Sequence, residues 1–383
     1  MNRKLSIVLK ACWLAVAIQF LPGCFDYEKI NDRAQIIGIG VDPVQGNPDL
    51  LSYTFQVPEL GLGGGSSDQS SANPGPGAMG PNKNFTAQAH SVSEAIALAQ
   101  LNYDKMFYLG NLECIVLNRQ LNAHAIQHVV NELMSTRPVD KLAWILTTPD
   151  SARVVMNYQN GDEASAEMMD RWLGATISQY GHATRTRLWQ FWRDTRLPGV
   201  QAHTGLVKIE DKNLVIYGMQ TFHGNTPKLE LTPTETLYYN FIEGRVKGLS
   251  MSIGEHTHLF DVRDVSCSSR QFVLQQGKRS TLGVRIRVKG ILVTNISDRT
   301  ESLSDRDLQR YEGMMAAEIQ KKSYALIQKL QQHHLDSIGF GRTLLLSDPT
   351  VEPNIDTKWD EFFAQVKAKV TVEVQLKHKG EIV

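Results

Sequence analysis

The sequence predicts a chain of mixed α/β and α+β character in three domains, the last an antiparallel sheet packed on one long helix. Three observations carry that prediction. Strand-like and helix-like segments alternate between residues 34 and 147, two C-terminal segments alternate apolar and polar residues, and an apolar stripe at helical spacing lies between those two. The 383 residues, 42% of them hydrophobic, also exceed what one core usually fills. With 40 basic and 40 acidic side chains, the chain lacks the basic excess expected of a nucleic-acid binder.

In chain order, the first 23 residues read as an export signal. Arg3, Lys4 and Lys10 precede or enter an apolar run from Ala11 to Ile18, and no acid occurs there. That run is too short to cross a bilayer, which takes roughly 20 helical residues. Removing the signal leaves 37 basic against 40 acidic residues, so the mature chain is slightly acidic. The segment closes on Leu21-Pro22-Gly23-Cys24, which resembles a bacterial lipobox. In that chemistry Cys24 receives a diacylglyceryl group, and two buried acyl chains make a stable anchor where one is marginal. The alternative is an ordinary signal with an incidental cysteine. Cys12 leaves with the signal, so only Cys114 and Cys267 remain to form at most one disulfide.

Beyond the anchor, Ala34–Val41 and Leu51–Val57 read as strands. Residues 61–82 hold seven glycines, three prolines and four serines with one charge, the composition of a flexible surface loop. Ser91 with Glu94 forms a capping-box pattern and opens a helix to about Tyr103. A strand at 112–117, a helix through Ile126, Val129, Val130 and Leu133, and a strand at 142–147 follow, with Arg137-Pro138 as the break. Helices at about 165–180 and 186–195 lead to Leu197-Pro198-Gly199, a candidate boundary. A short strand-rich region is expected next, with strands at 204–210, 214–222 and 236–241. In the last region Val284, Ile286 and Val288 alternate with Arg285, Arg287 and Lys289, and Val366 to Leu376 repeats the pattern. Ser304 and Asp307 cap the long helix between them, whose stripe is Leu308, Tyr311, Met315, Ile319, Leu326 and Leu330. That helix either projects toward a partner or, the favoured reading, lies across its sheet. The expected division is a signal at 1–23, a mixed α/β domain at 24–196 with the loop at 61–82, a small strand-rich domain at 197–245, and an α+β domain at 246–383 with its helix over 304–334.

Chemistry-bearing motifs are sparse. Gly38-Ile39-Gly40 begins like a dinucleotide fingerprint, but Pro43 replaces its third glycine and no helix follows. His256 and His258 would share one strand face, yet no third ligand has zinc-site spacing. No G-x-S-x-G, H-E-x-x-H or C-x-x-C sequence occurs. Trp172, Trp189, Phe191 and Trp192 read as helix core, the basic row 285–289 as a solvated face, and His333 and His334 as solvated at a helix C-terminus. No cofactor, metal or catalytic residue is expected.

Cys24 to Asp32 and Ile37 to Asp42 look like the opening of the Ger(x)C family of spore germination lipoproteins, with Phe25 where that family usually carries tryptophan. Ser93-Glu94-Ala95, Phe107 to Gly110, Arg196-Leu197-Pro198, Asp336 to Gly341 and Trp359 to Phe363 match in order and spacing. The resemblance implies a three-domain extracytoplasmic lipoprotein: the non-catalytic C-type subunit of a nutrient germinant receptor. It further implies a lipid anchor at Cys24, a place on the outer face of the spore inner membrane, and membrane-embedded A-type and B-type partners. The competing class is a solute-binding lipoprotein of a membrane transporter, which would need two similar lobes around a cleft.

Overall fold

The computed structural model describes residues 33–58, 82–161, 163–176, 181–254, 260–276, 279–293, 304–347 and 355–378. Cys24, His256, His258 and the loop through residue 81 lie outside them. The strand expected at 34–41 is two strands, β1 (Arg33–Gln35) and β2 (Gly38–Val44). The break arises because the chain changes partners at Ile36 and Ile37, whose N–H groups donate to the Tyr108 and Gln56 carbonyls at 2.9 and 3.0 Å. Strands β3 (Asn47–Pro58) and β4 (Asn82–Ala89) continue from β2 as an antiparallel meander.

Helix α1 (Val92–Gln100) starts as the sequence predicts, with the Ser91 hydroxyl accepting from the Glu94 N–H. The Glu94 carboxylate reaches back one residue further than the motif implies, to the His90 N–H at 2.8 Å. Then follow β5 (Met106–Tyr108), β6 (Cys114–Asn118), α2 (Ala123–Ser135), β7 (Trp144–Thr148) and α3 (Ala152–Met156). The two-residue strands β8 (Gln159–Asn160) and β9 (Glu163–Ala164) precede α4 (Ser165–Arg171), which runs into a π-helical turn over Trp172–Thr176. Helix α5 spans Leu188–Asp194.

Strands β10 (His203–Glu210), β11 (Asn213–His223) and β12 (Thr226–Leu231) do not form a sheet of their own. They extend the N-terminal sheet, whose order is β12-β11-β10-β7-β6-β2-β3-β4. The division expected at 197 therefore cuts one continuous sheet, because β10 pairs in parallel with β7 through Gly205 and Leu206. Its four central strands, β10-β7-β6-β2, are parallel, and an antiparallel meander closes each side.

Both faces of this sheet are covered. Ile39, Val41, Ile115 and Leu117 pack with α1, α2 and α5 on one side, while Cys114, Val116 and Leu146 pack with α3 and α4 on the other. That explains the runs of fully buried residues in β6 and β7, the pattern of parallel strands with helices on both faces. The Gly-Ile-Gly of β2 is a close-approach device. A Cβ at Gly40 would stand 2.8 Å from Met156 Cγ and 3.0 Å from the Ala152 carbonyl oxygen, so glycine lets α3 settle on the strand.

The segment expected as a strand at 236–241 is instead helix α6 (Pro233–Ile242). Thr232 and Glu235 form a capping box and Pro233 occupies the first turn, both strong helix starts. Every residue from Thr236 to Ile242 is buried, so no polar face marks the helical period.

Next come β13 (Leu249–Ile253), β14 (Phe260–Gln276) and β15 (Arg279–Val293), then α7 (Asp305–Gln332), α8 (Phe340–Ser347), α9 (Ile355–Gln365) and β16 (Lys367–His378). They build a sheet of order β13-β14-β15-β16. Its first three strands are antiparallel as expected, but β16 runs parallel to β15. The reason is the connection: α7 to α9 form a crossover between the two strands, and a helical crossover joins parallel neighbours. Helix α7 lies across the sheet, burying Met315, Ile319, Leu326, Ile327 and Leu330 against Val284, Ile286 and Val288. The capping box at Ser304 and Asp307 is present. Cys114 and Cys267 are free thiols, one in each sheet.

Candidate functional site at the junction of the two sheets

A cluster of buried polar groups lies where the two sheets meet, centred on Asp336. This side chain is fully buried in the turn between α7 and α8. Its Oδ1 accepts from the Gly339 and Phe340 N–H groups at 2.8 and 3.1 Å, and its Oδ2 from the Gly341 N–H and the Trp359 indole at 2.8 and 3.0 Å. Four donors thus converge on one carboxylate at the start of α8, where the helix end favours negative charge. Burial pushes the carboxyl up to about 6, while the hydrogen bonds pull it down, so it is ionised at neutral pH.

The N-terminal region reaches the same turn through residues 199–201. The Gln201 N–H donates to the Asp336 carbonyl at 3.0 Å and the Arg342 N–H donates to the Gly199 carbonyl at 2.8 Å. Gly199 has φ +71°, and a Cβ there would stand 2.5 Å from the Gly341 carbonyl carbon. A side chain at 199 would therefore push the backbones apart. The Gln201 amide donates to Asp360 at 2.7 Å, and His223 Nε2 lies 2.9 Å from the other oxygen of that carboxylate.

A second layer of the junction is polar too. The Asn240 amide donates to the carbonyls of Gly181 and Ala183 at 2.8 and 2.9 Å. The Gln271 amide bridges Glu243 and the Ile338 carbonyl, and the Tyr239 hydroxyl donates to the Ser337 carbonyl at 2.9 Å. His203 is buried without a hydrogen-bond partner on either ring nitrogen, its ring edge-on to Tyr239. Burial, and then the nearby Arg245, lower its pKa to about 3, so the imidazole is neutral.

A cleft of about 200 Å³ opens beside these contacts, lined in part by Asp194, Arg196, Gly199, His223, Trp359 and Asp360. The lining supplies no serine or cysteine, and its one hydroxyl, that of Thr195, donates to the Trp192 carbonyl at 3.0 Å. A nucleophile beside a base is thus missing at this cleft. No group of three or more His, Cys, Asp or Glu among the described residues could hold a metal ion. The arrangement is suited to holding two regions in one register.

The segments singled out in the sequence divide into two groups. Arg196 to Pro198, Asp336 to Gly341 and Trp359 to Phe363 converge on the junction. Ile37 to Asp42, Ser93 to Ala95 and Phe107 to Gly110 stabilise the N-terminal sheet. The Asp42 carboxylate accepts from the Asn118 amide, the Ser151 hydroxyl and the Ala152 and Arg153 N–H groups, all within 2.9 Å, which caps α3. Glu132 of α2 similarly receives the Val92 and Ser93 N–H groups, tying α1 to α2.

Sequence reasoning missed Gln201, His203, His223 and Asn240: no local pattern marks them, and Gln201, His223 and Asn240 meet partners distant in the chain. Phe191 is core as expected, whereas Trp189 and Trp192 are half-buried beneath Arg193 and Arg196. Arg285, Arg287 and Lys289 are exposed, with Glu373 3.0 Å from Arg287. His333 and His334 are exposed at the end of α7.

The fold and junction define a protein of two large sheets in which matched positions knit two regions together. The chain belongs to the Ger(x)C family of spore germination proteins. The profile of the spore germination protein N-terminal domain matches residues 26–209, and that of the "spore germination B3/GerAC like, C-terminal" region matches 218–380. It is 20% identical to spore germination protein KC of Bacillus subtilis (strain 168), covering 97% of both chains. It is 18% identical to spore germination protein GerQC of Bacillus cereus, covering 79% of this chain and 84% of that one. The crystal structure of the GerBC protein superposes with a TM-score of 0.54 at 14% identity, over 88% of this chain and 96% of that one, and so shares the fold.

Proposed function

We propose that the chain is the lipid-anchored, non-catalytic C-type subunit of a nutrient germinant receptor. It is held by Cys24 at the outer face of the spore inner membrane and acts through contacts with membrane-embedded A-type and B-type subunits. The observation that carries this reading is family membership across both regions, from residue 26 to 380. The lipobox-like Leu21-Pro22-Gly23-Cys24 supports the anchor. The spending of the matched positions on a seam and on helix caps supports an assembly role. No helix among the described residues is long and apolar enough to cross a membrane; two acyl chains at Cys24 would suffice as an anchor.

The solute-binding alternative needs two similar lobes around a cleft. Here an eight-stranded mixed sheet is joined to a four-stranded one of different order, so the two regions are not similar lobes. The Cys24→Ala variant is expected to leave the membrane fraction and to slow nutrient-triggered germination. A variant that stays anchored and germinates normally overturns the proposal.

A further inference from the structure

We propose that the turn joining α1 to β5 is a membrane-contacting surface, inserting Leu98, Leu101 and Met106 into the headgroup layer of the bilayer; this rests on the lipid anchor at Cys24. Ten large apolar side chains are exposed among the described residues, and three of them fall within the nine positions 98–106. Leu101 is 80% exposed, Met106 57% and Leu98 41%. Scattered apolar residues at a surface need no explanation, but three within nine positions, at the end of α1, in the turn and at the start of β5, do.

The turn is held rather than loose. Gln100 donates to the Tyr103 and Lys105 carbonyls at 3.0 and 2.6 Å and accepts from the Phe107 N–H at 2.9 Å. Behind it, the rings of Phe85, Tyr103 and Phe107 pack on one another with centroids 4.8 to 5.6 Å apart. The fold thus fixes the turn from behind and leaves its apolar side chains facing outward.

The start of the chain identifies the occupant. In β1 the register partner of Arg33 is Met106, so the chain enters the fold beside this turn. Eight residues lie between Cys24 and Arg33. Nine Cα steps reach at most about 30 Å, so an acyl-bearing Cys24 keeps this corner near the bilayer. Lys105 is exposed on the turn beside Asp104. Exposed apolar side chains held at the corner where the anchored segment enters the fold make an interfacial contact.

The test uses the full lipidated chain, with Cys267→Ser as background, in vesicles of phosphatidylglycerol and phosphatidylethanolamine. A fluorescent probe sensitive to polarity is placed at Leu101→Cys, and for comparison at Leu346→Cys, a position 77% exposed in α8. The Leu101 probe is expected to shift to the blue and to lose about half its emission or more to nitroxide-bearing lipids, with the Leu346 probe unchanged. Sedimentation with the vesicles and the mass of the Cys24 modification are read in the same samples. An anchored protein whose two probes behave alike overturns this proposal and leaves the anchor standing. Shielding of the Leu101 probe without quenching by lipid assigns the turn to a protein partner and also overturns it. A chain with unmodified Cys24 that stays in solution overturns the anchor itself, and this proposal with it.

Discussion

The two sheets solve the problem of burial differently. The eight-stranded sheet is covered on both faces, and its central strands are apolar on both sides. The four-stranded sheet is covered on one face only: Val284, Ile286 and Val288 meet α7, while Arg285, Arg287 and Lys289 face out. The central strands β6 and β7 commit all their residues to the core. A singly covered sheet leaves a whole face open, and the seam between the two combines polar groups with apolar packing, since Met219 and Leu231 of the first sheet share one core with α6 and the second sheet. Substitutions in the central strands of the first sheet therefore act on stability, whereas the open face of the second sheet tolerates them.

The sharpest way to break that comparison is to truncate the covered sheet. Phe55→Ala removes a side chain that is 0% exposed and is expected to destabilise by about 3–5 kcal/mol, read by denaturant unfolding. The junction comes next. Asp336→Ala strands three backbone N–H groups and the Trp359 indole, and is expected to cost about 3 kcal/mol. The unmodified chain is expected to unfold in one thermal transition and this variant in two, one for each region, as calorimetry would record.

Acidity sharpens the same contrast. The native state raises Asp336 from 3.8 to about 6, so it binds that proton more tightly than the unfolded chain does. The sign follows: above about pH 6 the ionised, buried carboxylate costs most, and its contribution becomes more favourable as pH falls toward 4, by up to about 3 kcal/mol. Glu113, raised to about 7 by burial and then by Asp170, moves in the same direction. Asp307, lowered by its hydrogen bonds to Ser304, moves in the opposite one, and its contribution is lost on acidification. The stability difference between the wild-type chain and Asp336→Asn should therefore widen between pH 7 and pH 5; a constant difference would count against a buried ionised group. Smallest of all is the open face. Arg287→Ala breaks an exposed pair with Glu373 and should change stability by less than about 1 kcal/mol in the same unfolding assay.

Legibility followed coverage. Strands with one wet face announced themselves through alternation, and α7 through its cap and stripe. Helix α6 was hidden because burial all round erased its period, although Thr232-Pro233 with Glu235 carried the signal. The parallel direction of β16 and the membership of β10 to β12 in the large sheet depend on pairings across the chain, about which local pattern is silent. The site was legible only as separate segments. Asp336 and Trp359 stood out by resemblance, but Gln201 touches Asp360 from 159 positions away, and no periodicity encodes such a contact.

The central claim is that this chain works as one subunit of a membrane-bound receptor. Its most direct test is capture of the full, tagged chain from spore membranes dissolved in mild detergent, with co-purifying proteins quantified by mass spectrometry. The account predicts two polytopic membrane proteins, one A-type and one B-type, in amounts close to that of the chain. Recovery of the anchored chain without either of them would contradict it.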